Sequence, residues 1–264
     1  MVDQSTRDRV DAFWSSTLDT AVADLHAPGV WVRANPPARR GWRGIYVLAF
    51  EGVTVYTPED LLDRVSGAVG GLSADQVIES RTWQELLGGV AQTVFGPVRH
   101  YYLDRTDGLA ERAAGRRLNP TDSDALGKLR TALPAQEWQV TGFTGQPAML
   151  FGIFEGEELI AAANLTAGPS VPRGPGEQVS PEAATDVGIV IHPDARGRGY
   201  GGRIAALAAR QAIAMYGVAR YRALTSNPST VAIADRLGFQ EYGRNLVAYL
   251  NDHPHGADEA VPVV

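Results

Sequence analysis

Seven residues, Arg196-Gly197-Arg198-Gly199-Tyr200-Gly201-Gly202, combine what anion binding needs: glycines that leave backbone N–H groups uncovered, and arginines that supply charge. Before them, Val187 to Ile191 has the length and β-branched content of a buried strand. Pro193, which lacks the ladder N–H, stops it, and Asp194-Ala195 makes a short turn. After them, Ile204, Leu207, Ala208, Ala212 and Met215 fall at spacings of three and four, the pattern of one helix face. The order strand, glycine loop, helix turns the loop amides toward the positive end of a helix, an arrangement that binds phosphate.

Gly197, Gly199 and Gly202 also spell the G-x-G-x-x-G of a dinucleotide fold, but the context argues against it. Four residues, Pro193 to Arg196, separate the strand from the first glycine, and Ala219-Arg220-Tyr221-Arg222 stands where a ribose-binding acid is expected. No lysine follows the glycines, so a Walker-type loop is out as well. The better match is R-x-x-G-x-G, met by Arg196, Gly199 and Gly201. Downstream, Asn227-Pro228-Ser229 opens a helix that closes at Leu237-Gly238-Phe239, with Asn227 suited to the N-cap, Pro228 to the first position and Gly238 to the left-handed stop. With these two motifs in this order, residues 115–250 resemble the GNAT superfamily of N-acetyltransferases.

The resemblance implies an α/β (α+β) fold: a mixed twisted sheet whose central parallel strands splay apart, flanked by helices. It implies acetyl-CoA as co-substrate, no metal, and transfer to a primary amine of a small molecule such as an antibiotic or metabolite. The backbone of Val190 and Ile191 would pair with the pantetheine arm. Arg196, Gly197, Arg198, Gly199, Tyr200 and Gly201 would hold the pyrophosphate, and Asn227 would reach the arm from the other strand. A protein N-terminus or lysine as acceptor is the same chemistry; a non-catalytic acyl-CoA-binding regulator is the alternative of another class.

Many relatives carry a tyrosine seven residues after the Asn to protonate the thiolate, and here that residue is Ala234. Tyr221, Tyr242 or Ser229 could substitute, or the thiolate could leave unaided, since a pKa near ~8.5 makes it a fair leaving group. For the base, Asp186 is the leading candidate, because it opens the central strand where many relatives have Glu. A solvated strand-end carboxylate is the competing reading of it. His192 shares its strand parity but lies about 20 Å away, so the two form no dyad, and His192 is read as structural. Glu137, Trp138 and Glu155 are candidates for the acceptor side.

Composition narrows the function classes. A chain of 264 residues with 44% hydrophobic and 20% charged residues can bury a sizeable core. A net charge of −6 speaks against a nucleic-acid surface and gives a bias toward cationic amines. The absence of cysteine removes disulfides and a cysteine-linked acyl-enzyme. The polar start, Met1 to Arg9, is not a signal peptide, and no apolar run could span a membrane, so the expected location is cytoplasmic.

Residues 1–114 lie outside the resemblance and are expected to form an N-terminal α/β accessory domain that shapes the acceptor pocket or a homodimer contact. A first helix is expected over Asp8 to Leu25, with Val10, Phe13, Trp14, Leu18 and Val22 on its buried face. Strands follow near Val30 to Arg33, Ile45 to Phe50 and Val53 to Tyr56, the last two a hairpin around Glu51-Gly52. Thr57-Pro58 should cap a helix to Val69, Ser73-x-x-Gln76 is a capping-box pattern, Arg81 to Val90 is helical, and Val98 to Leu103 is a strand. The boundary is placed at Asp104 to Gly115. A short strand and capped helix from Arg117 to Leu133, a hairpin around Gly156, a Pro/Gly-rich loop from Gly168 to Gly176, a strand from Tyr221 to Thr225 and a strand pair within Phe239 to Leu250 complete the second half. Residues 251–264 read as a disordered tail. Tyr46 to Gly52 faintly echoes Leu150 to Gly156, so the first half could be a degenerate GNAT-like repeat, or the two could be generic hairpins.

Overall fold

A computed structural model of the chain describes residues 2–36, 42–109, 113–143, 149–166 and 185–251; the loop expected at Gly168 to Gly176 and, after Asn251, the expected tail lie outside them. Helix α1 (Gln4–Leu18) starts at Asp3, whose carboxylate accepts from the Thr6 N–H. It buries Val10, Trp14 and Leu18 as their spacing predicts. Asp19 ends it in the left-handed conformation, so Val22 falls into the short α2 (Val22–Leu25) and is 41% exposed instead of continuing the buried face.

Strand β1 (Val30–Ala34) and the hairpin β2 (Gly44–Ala49) and β3 (Val53–Thr57) follow. The expected Thr57 cap is absent: Pro58 occupies the cap position of a 3-10 turn, Glu59–Leu61, that leads into α3 (Leu62–Val69). The Ser73 capping box is present with both of its bonds and opens α4 (Ala74–Val77), followed by α5 (Ser80–Leu87). Strand β4 (Ala91–Leu103) is twice as long as expected, because it continues through Gly96-Pro97. The second half contributes β5 (Arg116–Arg117), α6 (Ser123–Ala132), α7 (Ala135–Val140) and the hairpin β6 (Met149–Glu155) and β7 (Glu158–Thr166). Then come β8 (Thr185–Ile191), α8 (Tyr200–Tyr216), β9 (Ala219–Leu224), α9 (Pro228–Leu237) and β10 (Gln240–Leu250). The expected strand pair after Phe239 is this one long strand, with register irregularities at Gly243 and beyond in place of a turn.

The strands form a single mixed sheet in the order β1-β3-β2-β10-β4-β9-β8-β7-β6-β5. It runs unbroken across the boundary expected at Asp104 to Gly115. β4 lies antiparallel to β9 from Val98 to Leu103, and β10 inserts between β4 and β2. Helices α1, α6 and α7 cover one face; α3, α5 and α8 cover the other. On α8, Ile204, Ala205, Ala208, Ala209 and Ala212 are fully buried, and the four alanines let the helix lie close to the sheet. Met215, expected on that face, is 43% exposed near the helix end. Among the described residues no helix is long and apolar enough to cross a membrane.

Candidate active site

β8 and β9 run parallel and pair only at Thr185 with Ala219, Asp186 with Arg220 and Val187 with Tyr221. Beyond Val187 they separate, while β8 keeps its other edge on β7 through Ile191. The gap opens into a cleft of about 1270 Å³ that reaches from Asp186 and Arg222 at the point of divergence to the glycine loop at the start of α8. From Asp186 to Ile191 the strand rises about 17 Å. Gly188, Ile189 and Ile191 line the cleft, whereas Val190 turns its side chain to the other face, against the α6–α7 cluster.

Gly188 has no room for a side chain: a Cβ there would overlap the Thr141 carbonyl oxygen and the Asn164 amide. Asn164 holds this close approach, accepting from the Gly188 N–H at 3.1 Å and donating to the Thr141 oxygen at 3.0 Å. Its role was invisible in sequence, since nothing in the β7 pattern distinguishes it from a strand-end polar residue.

At the far end of the cleft, Gly197 and Gly199 take φ of +74° and +84°, values that disfavour any side chain. Gly199 is the N-cap of the 17-residue α8, so the first amides of that helix face the loop without a side-chain cap. Gly201 serves packing: a Cβ would come within 2.8 Å of Ile233 on α9. Arg196 donates to both Glu137 carboxylate oxygens at 2.8 Å, and Arg198 donates to Glu155 at 2.6 Å. Arg196, Gly197, Gly199, Tyr200 and Gly201 line the cleft; Arg198 is turned toward Glu155, and Arg203 lines it instead. Asn227 also lines it and caps α9, accepting from the Thr230 N–H at 3.2 Å. His192 caps the 3-10 turn Pro193–Ala195 that follows β8, accepting through Nδ1 from the Asp194 N–H at 3.3 Å.

The Arg196–Glu137 pair is half-exposed, with side chains 48% and 33% accessible, so it is worth no more than about 1 kcal/mol. A phosphate at the loop competes with Glu137 for this guanidinium. Glu137→Gln is therefore expected to tighten acetyl-CoA binding by up to about fivefold in calorimetry, and weaker binding would show that Glu137 helps to hold the loop.

Asp186 does not have the surroundings of a base. It is buried, and its carboxylate is gripped by Arg220, through Nε and through Nη2 at 2.6 Å, and by Arg222 Nη2 at 2.8 Å. Burial alone would raise its pKa, but the two guanidiniums outweigh that and hold it below the ordinary carboxylate value. These surroundings differ from those of the poised carboxyl expected: Asp186 is placed as the counter-ion of two arginines. They are not those of a solvated carboxylate either. Sequence reasoning missed Arg220 and Arg222, although their alternation with Tyr221 and Ala223 inside a short strand was the available signal.

Of the hydroxyls considered as acids, Tyr242 lies away from the cleft, donating to Asp11 and packed against Phe50 and Tyr102. Tyr221 and Ser229 line the cleft. Burial raises the Tyr221 pKa, and its hydroxyl has no hydrogen-bond partner among the described residues. Ala234 is fully buried in the core beside α8, so position 234 points away from the cleft. Trp138, considered for the acceptor side, is buried against Phe143, whereas Glu137 does line the cleft.

Residues 118–239 match the model of the acetyltransferase (GNAT) family. No curated protein matches the sequence. Among solved structures, an acetyltransferase from the GNAT family of Colwellia psychrerythraea is 16% identical, with a TM-score of 0.46 over 64% of this chain and 61% of that one. An aminoglycoside N-acetyltransferase in complex with CoA is 18% identical, with a TM-score of 0.35 over 49% of this chain and 92% of its own. A spermidine N-acetyltransferase chimera from Vibrio cholerae and a second source is 14% identical, with a TM-score of 0.33 over 52% and 95%. The chain thus spans about three fifths of the length of the Colwellia protein.

Proposed function

We propose, for a chain whose residues 118–239 match the model of the acetyltransferase (GNAT) family, that the cleft between β8 and β9 binds acetyl-CoA and that the acetyl group passes to a primary amine of a small molecule in a ternary complex. One observation carries the reading: a single cleft joins the uncapped start of α8 to the point where the parallel strands part. Arg196 and the amides from Gly197 to Gly201 would hold the diphosphate, with Arg198 recruited from Glu155. The edge of β8 that β9 leaves uncovered, at Ile189 and Ile191, offers backbone groups to the pantetheine arm, and Asn227 approaches from α9. The thioester supplies the activated acyl carbon. With no cysteine in the chain, attack by the amine is direct.

The chain's own part is orientation and exclusion of water rather than proton transfer. Asp186 is held as a carboxylate by two arginines, so the acceptor enters as the free amine, and the rate rises with pH along the acceptor's own titration, near ~10 for an alkylammonium. Tyr221, its pKa pushed up by burial, keeps its proton and can offer the departing sulfur a hydrogen bond. A second reading, an acyl-CoA-binding regulator, draws support from Asp186, which two arginines hold as a carboxylate, and from Ala234 in place of a tyrosine.

Acetyl-CoA is expected to raise the melting temperature by mass action, about 2.7 kcal/mol at a hundredfold excess over Kd. Gly199→Asp sets a carboxylate where phosphate belongs and should remove that shift. Binding of NADPH in place of CoA would return the dinucleotide reading. Thiol release across a panel of amines, with peptide N-termini and lysines as a separate arm, decides between enzyme and regulator.

A further inference from the structure

The buried ion cluster at the point of divergence does not balance. Arg220 is wholly buried and Arg222 is partly buried, with a side chain 16% exposed toward the cleft, yet the two share one carboxylate, Asp186. Among the described residues no other carboxylate pairs with either guanidinium. Both Nη1 atoms are buried without a hydrogen-bond partner. The neighbouring His100 adds no negative charge. Its ring is neutral, its pKa lowered to about 3 by burial and by the two arginines, and it bonds Asn245 Oδ1 through Nε2 at 2.7 Å. Arg222 is itself pulled down to about 10 by burial, and at neutral pH it remains a cation.

A buried cation without a counter-charge is expensive, so proteins pair such charges or hold them for a ligand. Arg222 and Asp186 line the cleft, while Arg220 lies beneath it. Arg222 directly follows Tyr221, the last β9 residue paired with β8, and so sits where the strands part. The CoA phosphates belong at the glycine loop, about 17 Å along β8, too far to supply the missing charge. The place from which an anion reaches Arg222 is therefore the reacting end of the cleft.

We propose that the substrate at the reacting end carries a carboxylate that pairs with Arg222. This rests on the transferase reading and narrows its substrate class. Two sources share the chemistry: an acceptor bearing amine and carboxylate in one molecule, as an amino acid does, or an acyl group with a second, free carboxylate, as succinyl has. Planar guanidinium and carboxylate suit each other, and the bond is charge-assisted.

The test uses matched pairs on the full chain. In the first arm, amino acids are compared with their carboxamides as acceptors of acetyl-CoA. In the second, succinyl-CoA is compared with acetyl-CoA against a simple alkylamine. One arm should favour the carboxylate by about tenfold or more in kcat/KM, the effect of one charge-assisted hydrogen bond, and the preferred arm names the source. Calorimetry of the same pairs, with the acceptors titrated into CoA-saturated protein, reads the preference without turnover. A carboxylate preference in binding with no thiol release would overturn the transferase reading and leave the anion site standing. Preferences within about twofold in both arms, in turnover and in binding, would overturn the anion site. Arg222→Gln should erase the preference. A variant that slows both members of a pair alike would assign Arg222 to the transition state instead and sink the proposal. If that variant does not fold, the wild-type pairs and Arg222→Lys, which keeps the charge and should retain most of the preference, still decide.

Discussion

The fragment 115–264, although it contains every residue of the proposed acetyl-CoA site, is expected not to fold. β9 has β8 on one side over only three residues, and its other edge is covered by Val98 to Leu103 of β4. β10 has no partner from the second half at all: its neighbours are β4 and β2. Removing the first half strips both edges of β10 and leaves Leu246, Val247 and Ala248, now fully buried, facing water. It also removes Tyr101 and Leu103 from the core beneath α8. Losses of that kind run to about 2–5 kcal/mol per large side chain, against a total stability of roughly 5–15 kcal/mol. The fragment should show no cooperative melt by circular dichroism and no acetyl-CoA binding. A folded fragment that binds acetyl-CoA would mean that the first half is an accessory after all.

This expectation differs from the one that composition suggests, and the reason is physical. The glycine loop, the Asn227 cap, the Ser73 capping box and the hairpins at Gly52 and Gly156 are local devices, written in residues within a few positions of each other, and they were legible. The union of the two halves rests on β4 and β10, more than a hundred residues apart, and strand pairing at that distance leaves no local mark. Residue patterns also hid the length of β4, because Gly96-Pro97 reads as a strand end. At the site, the loop glycines were legible because backbone geometry demands them. Asp186 was legible as a residue of the site, but its surroundings were not, since they depend on Arg220 across a ladder and on Arg222, which no spacing rule connects to it.

Asp186→Asn is expected to act on stability before it acts on rate. In the wild type, one carboxylate answers two buried guanidiniums through Arg220 Nη2 at 2.6 Å and Arg222 Nη2 at 2.8 Å. Asparagine keeps the shape and removes the charge, leaving two cations buried side by side. Breaking a buried pair in this way costs about 3–5 kcal/mol, a large share of what a domain has. The sign of the pH dependence follows from the direction of the shift. Burial opposes ionisation, but Arg220 and Arg222 win and hold Asp186 below its ordinary 3.8, so its contribution is fully present above that value and fades as pH falls through the lower folded pKa. Denaturant titrations should therefore show the full gap between wild type and variant at pH 7, unchanged down to about pH 4, closing only in stronger acid. A base would leave another signature: equal stability at pH 7, and a pH–rate profile that loses its acidic limb in the variant. If denaturation finds the two proteins within about 0.5 kcal/mol at pH 7 while the variant's rate falls a hundredfold, Asp186 is the proton acceptor and its pairing with the arginines is incidental.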